Sequence, residues 1–511
     1  MTYVSRLLAS TVSVLALTIP AFAQTALPQE QDSYFVSAQE QLAALIAQQP
    51  NTTKAKNIIL FVGDGMSIPT ITAARIFEGQ SRGVDGESNS LSFETLLPYV
   101  ALSKTYTHDS QVADSAPTAT AMTTGVKSLN GTIGVSQQAV LDDCSTLAAS
   151  SVKSIFETAE DAGLATGVVS TARITHATPA ATYAHTVERD WENDVSLAKG
   201  EKSAGCTDIA AQLVDWSFGD GFEVVLGGGR SNFMTAETAD PEYPEKTGAR
   251  ADGRDLVAEW QAKYNDGAYV WNQEQFDAVD LATTKHLFGL FEGSHMQYEA
   301  DRAKDAGGEP SLAEMTTKSI EMLSQNENGY VLMVEAGRID HAHHAGNAAR
   351  ALMDTVALSE AVQAAYDAVN PEETLIIVTA DHSHVFSMAG YPVRGNPILG
   401  IAGSADDGKP YTTLGYMNGP GAVVYDGVAP TLPEGADADA PLTVRPDLTD
   451  VDTTDVDFLQ QALVPMGSES HAGDDVAIFA QGPWAHLFHG VVEQNIIYHV
   501  IAKASGLDGA Q

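Results

Sequence analysis

Cysteine is almost missing from this chain: its 511 residues contain two, Cys144 and Cys206. That count excludes a disulfide-dense scaffold and a metal cluster held by thiolates. Positive charge is scarce as well. Lys and Arg number 27 against 67 Asp and Glu, a net charge of −40. Such a surface repels phosphate backbones and anionic lipid, which excludes nucleic acid and anionic membranes as partners. It favours solubility, and salt would screen its self-repulsion. An anionic substrate would need a strong local positive field, which a metal cluster can supply. Long apolar runs stop early: after residue 23 none is long enough to span a bilayer. No tandem repeat is visible.

What is present at the start is an export signal. Arg6 precedes an apolar run from Leu7 to Ile19, and Ala21-Phe22-Ala23 supplies a small-x-small cleavage site. A signal peptide over 1–23 is expected, and with it a periplasmic or secreted protein. Export favours pairing Cys144 with Cys206 over two free thiols. A loop of that length is worth ~4 kcal/mol in chain-entropy terms.

Residues 24–50 are rich in Gln and Ala, and Ser37–Gln49 has helical composition without a partner face in its own segment. They read as an N-terminal helical arm. Asn57–Val62 is a short apolar run suited to a strand buried on both faces, and it ends in Gly63-Asp64-Gly65-Met66. Thr166–Ser170, Phe222–Leu226, Val331–Val334, Leu375–Thr379 and Val476–Ala480 are similar. Helical patterns such as Ser151–Ala162 and Ser311–Leu323 lie between them. The expected class is α/β, a large mostly parallel sheet with helices on both faces, formed by residues 51–390 and 466–511. Residues 391–465 change texture to Gly, Pro, Asp and Thr, and Thr431–Asp457 is acidic with few apolar anchors. They read as an inserted, loop-rich, crown-like subdomain.

The strand ends carry the chemistry. Open α/β sheets bind ligands outside the carboxyl ends of their strands. Glu335 follows Val334, and Asp340 and His344 sit four apart, on one face if the segment coils. Asp381 and His382 follow the run ending at Thr379, and His471 precedes the run from Val476. With Asp64, these carboxylates and imidazoles at one sheet edge form a metal cluster, and the mixture with histidine suits zinc. In Asp114-Ser115-Ala116-Pro117, the proline and the small residues after it predict a helix starting near Ser115. A helix N-terminus offers free amides to a phosphate. No Gly-x-Ser-x-Gly elbow surrounds Ser115, so a serine-esterase reading is weak. A zinc ion beside the hydroxyl would make it a nucleophile without a histidine base.

These segments together resemble the alkaline phosphatases, and the animal branch more than the enterobacterial one. The match is carried by Val62-Gly63-Asp64-Gly65-Met66, Asp114–Met122, Thr175–Pro179, Ala184–Arg189, Val334–His344, Thr379–His384 and Ser470–Gly473. The resemblance implies hydrolysis of phosphate monoesters through a phosphoserine on Ser115, with two zinc ions and one magnesium per subunit. Asp340, His344 and His471 are then similar to the ligands of one zinc. Asp64, Asp381 and His382 are similar to those of the other. Asp64, Thr178 and Glu335 are similar to the magnesium ligands. Arg189 is similar to the phosphate-clamping arginine, oriented by Asp114, while His343 and His384 match no ligand.

His176 and His341 depart from the enterobacterial pattern of Asp and Lys, which implies looser magnesium and activity that depends on added magnesium. The animal branch adds a calcium site, matched by Glu242, the Phe291 carbonyl and Glu292, with Glu309 standing where the family has Asp. A homodimer is the family's habit. A phosphodiesterase or sulfatase of the same superfamily is the alternative, and a non-enzymatic acidic metal-binding protein the third reading. Arg189 and the magnesium residues speak against the second, because a diester has less terminal charge to clamp.

Overall fold

The apolar runs named above from Asn57 onward all enter strands of one ten-stranded sheet. The computed structural model describes residues 32–200, 202–422 and 445–509. The expected signal peptide, the start of the arm and residues 431–444 of the acidic stretch lie outside them. The chain divides into two units, residues 1–49 and 50–511. In the first, Ser33–Ala47 is helical, capped by Asp32, whose side chain accepts from the Tyr34 and Phe35 amides. That helix buries none of its residues.

In the second unit β1 is Asn57–Gly63, β2 Tyr99–Lys104, β3 Ala165–Arg173, β4 Val224–Gly228 and β5 Gly267–Val270. Next come β6 His286–Leu290, β7 Tyr330–Ala336 and β8 Thr374–Ala380, then the short β9 Ser383–His384 and β10 Phe386–Met388. β11 Ile401–Ser404, β12 Pro410–Thr412, β13 Leu414–Gly419, β14 Ala462–Pro465 and β15 His471–Ala472 follow. β16 Val476–Gln481 and β17 Gly490–Glu493 return to the main sheet, whose order is β17-β2-β16-β8-β1-β7-β3-β4-β6-β5. β16 runs antiparallel to both neighbours and the other pairs are parallel.

Alternate residues of β1 enter two cores. Ile58, Leu60 and Val62 join one with Met122, Phe156 and Ile497, while Ile59 and Phe61 join the other with Ile71, Met315 and Leu352. Helices therefore cover both faces, which explains continuous apolar strands instead of alternating ones. Ser311 and Ser154 both open helices as capping boxes, Ser311 with Glu314 and Ser154 with Glu157.

Register places the chemistry. β1 pairs Val62 with Glu335 on β7 and Gly63 with Ala380 on β8, so Asp64, Glu335 and Asp381 end side by side. The two-residue pairing of β15 with β9 sets His471 opposite His384 and brings the last expected ligand to the same edge. Beyond it, β10, β13 and β14 form a small sheet and β11 and β12 a hairpin; the small sheet draws in Phe386–Met388 from before residue 391. Cys144 and Cys206 form a disulfide across 62 residues of chain.

Candidate active site

Ser115 is the first residue of a helix, Ser115–Thr124, as the proline near its start predicts. Asp114 caps it, accepting from the Ala116 amide, and Gly125 closes it in the left-handed conformation at φ 80°. The Ser115 hydroxyl is buried, 3.1 Å from His382 Nε2 and 3.5 Å from Asp64 Oδ1. It thus lies inside the cluster of strand-end ligands.

Three donor sets share that edge. In the first, Asp340 Oδ1 lies 3.4 Å from both His344 Nε2 and His471 Nε2, which are 3.0 Å apart. A tetrahedral ion with bonds of about 2.0–2.1 Å spaces its ligand atoms about 3.3 Å apart, so the set fits zinc. Each ring donates its Nδ1–H to a carbonyl, His344 to Glu469 at 2.5 Å and His471 to Ala113 at 2.7 Å. That leaves both Nε2 lone pairs facing the gap.

In the second set, His382 Nε2 lies 3.4 Å from Asp64 Oδ1 and 3.3 Å from Asp381 Oδ2. The Gly65 and His382 amides both hold Asp381 Oδ1, at 2.9 Å, so Oδ2 is the oxygen left free. Gly65 has a φ of 66° and a Cβ there would meet the His384 ring at 2.3 Å, which accounts for the glycine after Asp64.

The third set is oxygen-rich. Asp64 Oδ2, Thr178 Oγ1 and Glu335 Oε1 are buried without a hydrogen-bond partner among the described residues, and Ser170 binds the other Glu335 oxygen. Unpaired buried oxygens of this kind suit a hard cation. His176 also brings a ring nitrogen within reach of Asp64 and Glu335. Burial pushes the Glu335 carboxyl up to about 7 and, with the charges of Asp381 and Asp340, holds that of Asp64 well above its ordinary value. Carboxylates packed this closely call for cations.

The phosphate side is built from Arg189. Its Nη1 donates to Asp114 Oδ1 at 3.1 Å and its Nη2 contacts His176 Nε2 at 3.0 Å. Gly131 N donates to Asp114 Oδ2 at 2.5 Å, which fixes the carboxylate from its other side. His341 is 5.4 Å from His176, ring to ring. Burial lowers both, His341 to about 3 and His176 well below its ordinary value with the help of the Arg189 charge, so the pair is neutral.

Other sequence expectations find definite places. His343 is a structural residue, bonded to Thr70 and Tyr416. His384 sits between Asp340 Oδ1 at 2.7 Å and Glu469 Oε2 at 2.5 Å. Burial opposes its charge, but those two bonds push it up to about 9. Glu242 and Glu292 come together as expected, with a partner the sequence reading did not name, Asp305. Glu309 lies beside them, accepting from the Gln297 amide at 2.7 Å, and burial pushes it up to about 8. Phe291 follows the last residue of β6 and is buried. The glycine pair 307–308 between Asp305 and Glu309 was the available signal, since a tight turn folds both toward one place.

Two further residues escaped the sequence reading. Glu469 orients both His344 and His384. His295 packs against His341 with the rings tilted and their centroids 4.0 Å apart, and the Arg173 amide donates to its Nδ1 at 3.2 Å.

The chain resembles known proteins along nearly its whole length. The Alkaline phosphatase family profile matches residues 55–507. Alkaline phosphatase of Gadus morhua is 45% identical over 469 residues, 90% of this chain and 94% of the relative. The tissue-nonspecific alkaline phosphatase isozyme of Gallus gallus is 46% identical over 477 residues, covering 92% and 88%. Among solved structures, Thermus thermophilus alkaline phosphatase superposes with a TM-score of 0.62 at 25% identity, over 91% of this chain and 94% of that one.

Proposed function

The chain belongs to the alkaline phosphatase family, and from that premise we propose how its own residues carry the reaction. It is a hydrolase of phosphate monoesters from a metal-dependent family. Asp340, His344 and His471 would hold one zinc, Asp64, Asp381 and His382 a second, and Asp64, Thr178 and Glu335 a magnesium. Bound there, the ions supply Lewis-acid stabilisation of the attacking and departing oxygens. The Arg189 fork, aligned by Asp114, takes two phosphate oxygens, and the amides at the start of the Ser115 helix face the same charge. Ser115 Oγ attacks phosphorus in line. The serine–phosphorus bond forms as the ester bond breaks, and the hydroxyl proton ends on the departing alcohol. Water then cleaves phosphoserine, releasing inorganic phosphate and restoring the hydroxyl.

The observation that carries this reading is the position of Ser115 Oγ, 3.1 Å from His382 Nε2 inside the ligand set. The test is hydrolysis of a monoester and its matching diester by the purified protein. It is assayed before chelation, after it, and after adding back zinc with and without magnesium. Fast monoester turnover, lost on chelation and restored only by both metals, is the expected result, and Ser115→Ala removes it with metal still bound. Diester preference, or full activity of zinc protein in magnesium-free buffer, would sink it.

The same reading extends to the rest of the molecule. Glu242, Glu292, Asp305 and Glu309, with the Phe291 carbonyl, form an oxygen-only set that suits calcium. Exposed apolar side chains gather on the crown, at Tyr391, Val393, Met417 and Leu463, and the arm helix exposes Leu42, Leu45 and Ile46. Both surfaces suit a second copy of the chain, in a homodimer. Among the described residues no helix is long and apolar enough to cross a membrane. Export to the periplasm or medium follows from the signal at 1–23.

A further inference from the structure

The segment that delivers Arg189 is fastened by a histidine that no step above uses. Thr186 bridges antiparallel to Ile133, and the Arg189 amide donates to the Gly131 carbonyl at 2.8 Å. Just before that bridge, the His185 ring faces an acceptor at each nitrogen. Nδ1 lies 2.7 Å from the Gly134 carbonyl oxygen and Nε2 lies 2.8 Å from Glu157 Oε1. A neutral imidazole has one N–H and can satisfy one acceptor; satisfying both requires the doubly protonated ring.

The surroundings are arranged for that charge. Glu157 is the capping-box residue of the helix Ile155–Asp161, its Oε2 accepting the Ser154 amide at 2.7 Å, and its side chain is 2% exposed. From the helix Ile209–Asp215 comes the neutral Gln212, which accepts the His185 amide at 2.9 Å and donates to the His185 carbonyl at 3.1 Å. Gly134 N donates to Thr120 Oγ1, on the nucleophile helix, at 3.0 Å. Gly134 has a φ of 62°, and a Cβ there would meet the Ala184 carbonyl oxygen at 2.4 Å. One node therefore joins the Ser115 helix, the Arg189 segment and a buried helix cap.

We infer that His185, held as an imidazolium between Gly134 and Glu157, is a positioning residue for Arg189, and that losing its proton weakens phosphate binding. Burial opposes the charge, but the Glu157 bond and charge and the Gly134 carbonyl hold the ring above its ordinary pKa. Below that point the clamp is closed. Above it the neutral ring keeps one bond and gives up the other, and the Arg189 segment gains freedom. Substrate KM and the phosphate inhibition constant then rise together, while kcat does not fall.

This rests on Arg189 as the phosphate clamp, so Arg189→Ala is assayed beside His185→Gln and Glu157→Gln, as full-length metal-loaded protein. From about pH 6 to about pH 10, wild type should show a stepwise rise in KM and in the phosphate inhibition constant. His185→Gln should start about tenfold higher in both near neutrality, with kcat within about twofold, and lack the step. Glu157→Gln should move the step to lower pH. Wild-type KM and an unmoved step in both variants, with KM raised in Arg189→Ala, would overturn the clamp. An unchanged KM in Arg189→Ala would instead overturn the reading beneath it. Exchange of the His185 ring C2 proton, followed by mass spectrometry on the wild-type holoenzyme, decides the matter if the variants do not fold. A proton held above the usual imidazole range supports the clamp, and an ordinary or lower value overturns it.

Discussion

At Asp340 one carboxylate oxygen is approached by three imidazoles, His344 and His471 at 3.4 Å and His384 at 2.7 Å. The first two turn their remaining nitrogens to backbone carbonyls. His384 spans instead to Glu469, so it acts as a fixed cation that aims the Asp340 oxygen. Removing it frees that oxygen to rotate and leaves Glu469 Oε2 buried without its partner. Supporting contacts of this kind are worth about 10–100-fold in metal affinity. His384→Ala should therefore hold one zinc about 10–100-fold less tightly in competition with a chelator while the other sites keep their metal. Unchanged competition would show that Asp340 is aimed without it. Asp64, Glu335 and Asp381 were legible in the sequence because each directly follows or ends an apolar run. Glu469 and His295 were not, because each earns its role from a partner in a distant segment. His295 shows this most plainly: nothing in Ser294-His295-Met296 points to His341, and only packing brings the rings together.

Strands buried on both faces were readable for the same reason that they hold the site. β1, β7 and β8 are apolar nearly throughout and lie at the middle of the sheet. β2, β5 and β17, toward its edges, expose part of their length, and their mixed composition carries no such signal. The opposite end of the sheet, away from the ligands, holds a different kind of buried acid. Glu160, near the end of the helix Ile155–Asp161, is 3% exposed and binds Thr166 at the start of β3. Burial, together with the Glu223 charge, pushes it up to about 9. Below the ordinary carboxyl range both folded and unfolded chains carry this proton, and it costs nothing. As pH rises past that range the unfolded chain ionises while the folded one does not, so stability falls until the folded group titrates. Glu160→Gln should thus melt with wild type near pH 4 and some 2 °C or more above it near pH 9. A shift of equal size at both pH values would assign the effect to packing instead of charge.

Across the whole molecule the dominant fact is the net charge of −40. Ion pairs exist, and some are buried, such as Arg230 with Asp240 at 2.8 Å and Arg250 with Asp208 at 2.8 Å. With 27 basic residues against 67 acidic ones, most carboxylates nevertheless cannot have a cationic partner. Their mutual repulsion is spread over the surface and acts over distances that salt can screen. The Debye length falls from about 10 Å at 0.1 M to about 3 Å at 1 M, so added salt removes most of the repulsion between exposed carboxylates. Buried pairs are screened much less. Exposed pairs, such as Lys503 with Asp508 at 3.3 Å, contribute little in any case. The two effects of salt are therefore unequal, and relief of repulsion wins. Raising sodium chloride from about 0.1 M to about 1 M should raise the melting temperature of the metal-loaded protein. If two copies associate, the same screening removes repulsion between two strongly acidic surfaces, so sedimentation should show the dimer persisting to lower protein concentration in high salt. A melting temperature that falls with salt would mean that exposed ion pairs outweigh the excess carboxylates. A dimer that loosens with salt would mean that its interface is held by charge instead of by the apolar side chains of the crown and arm.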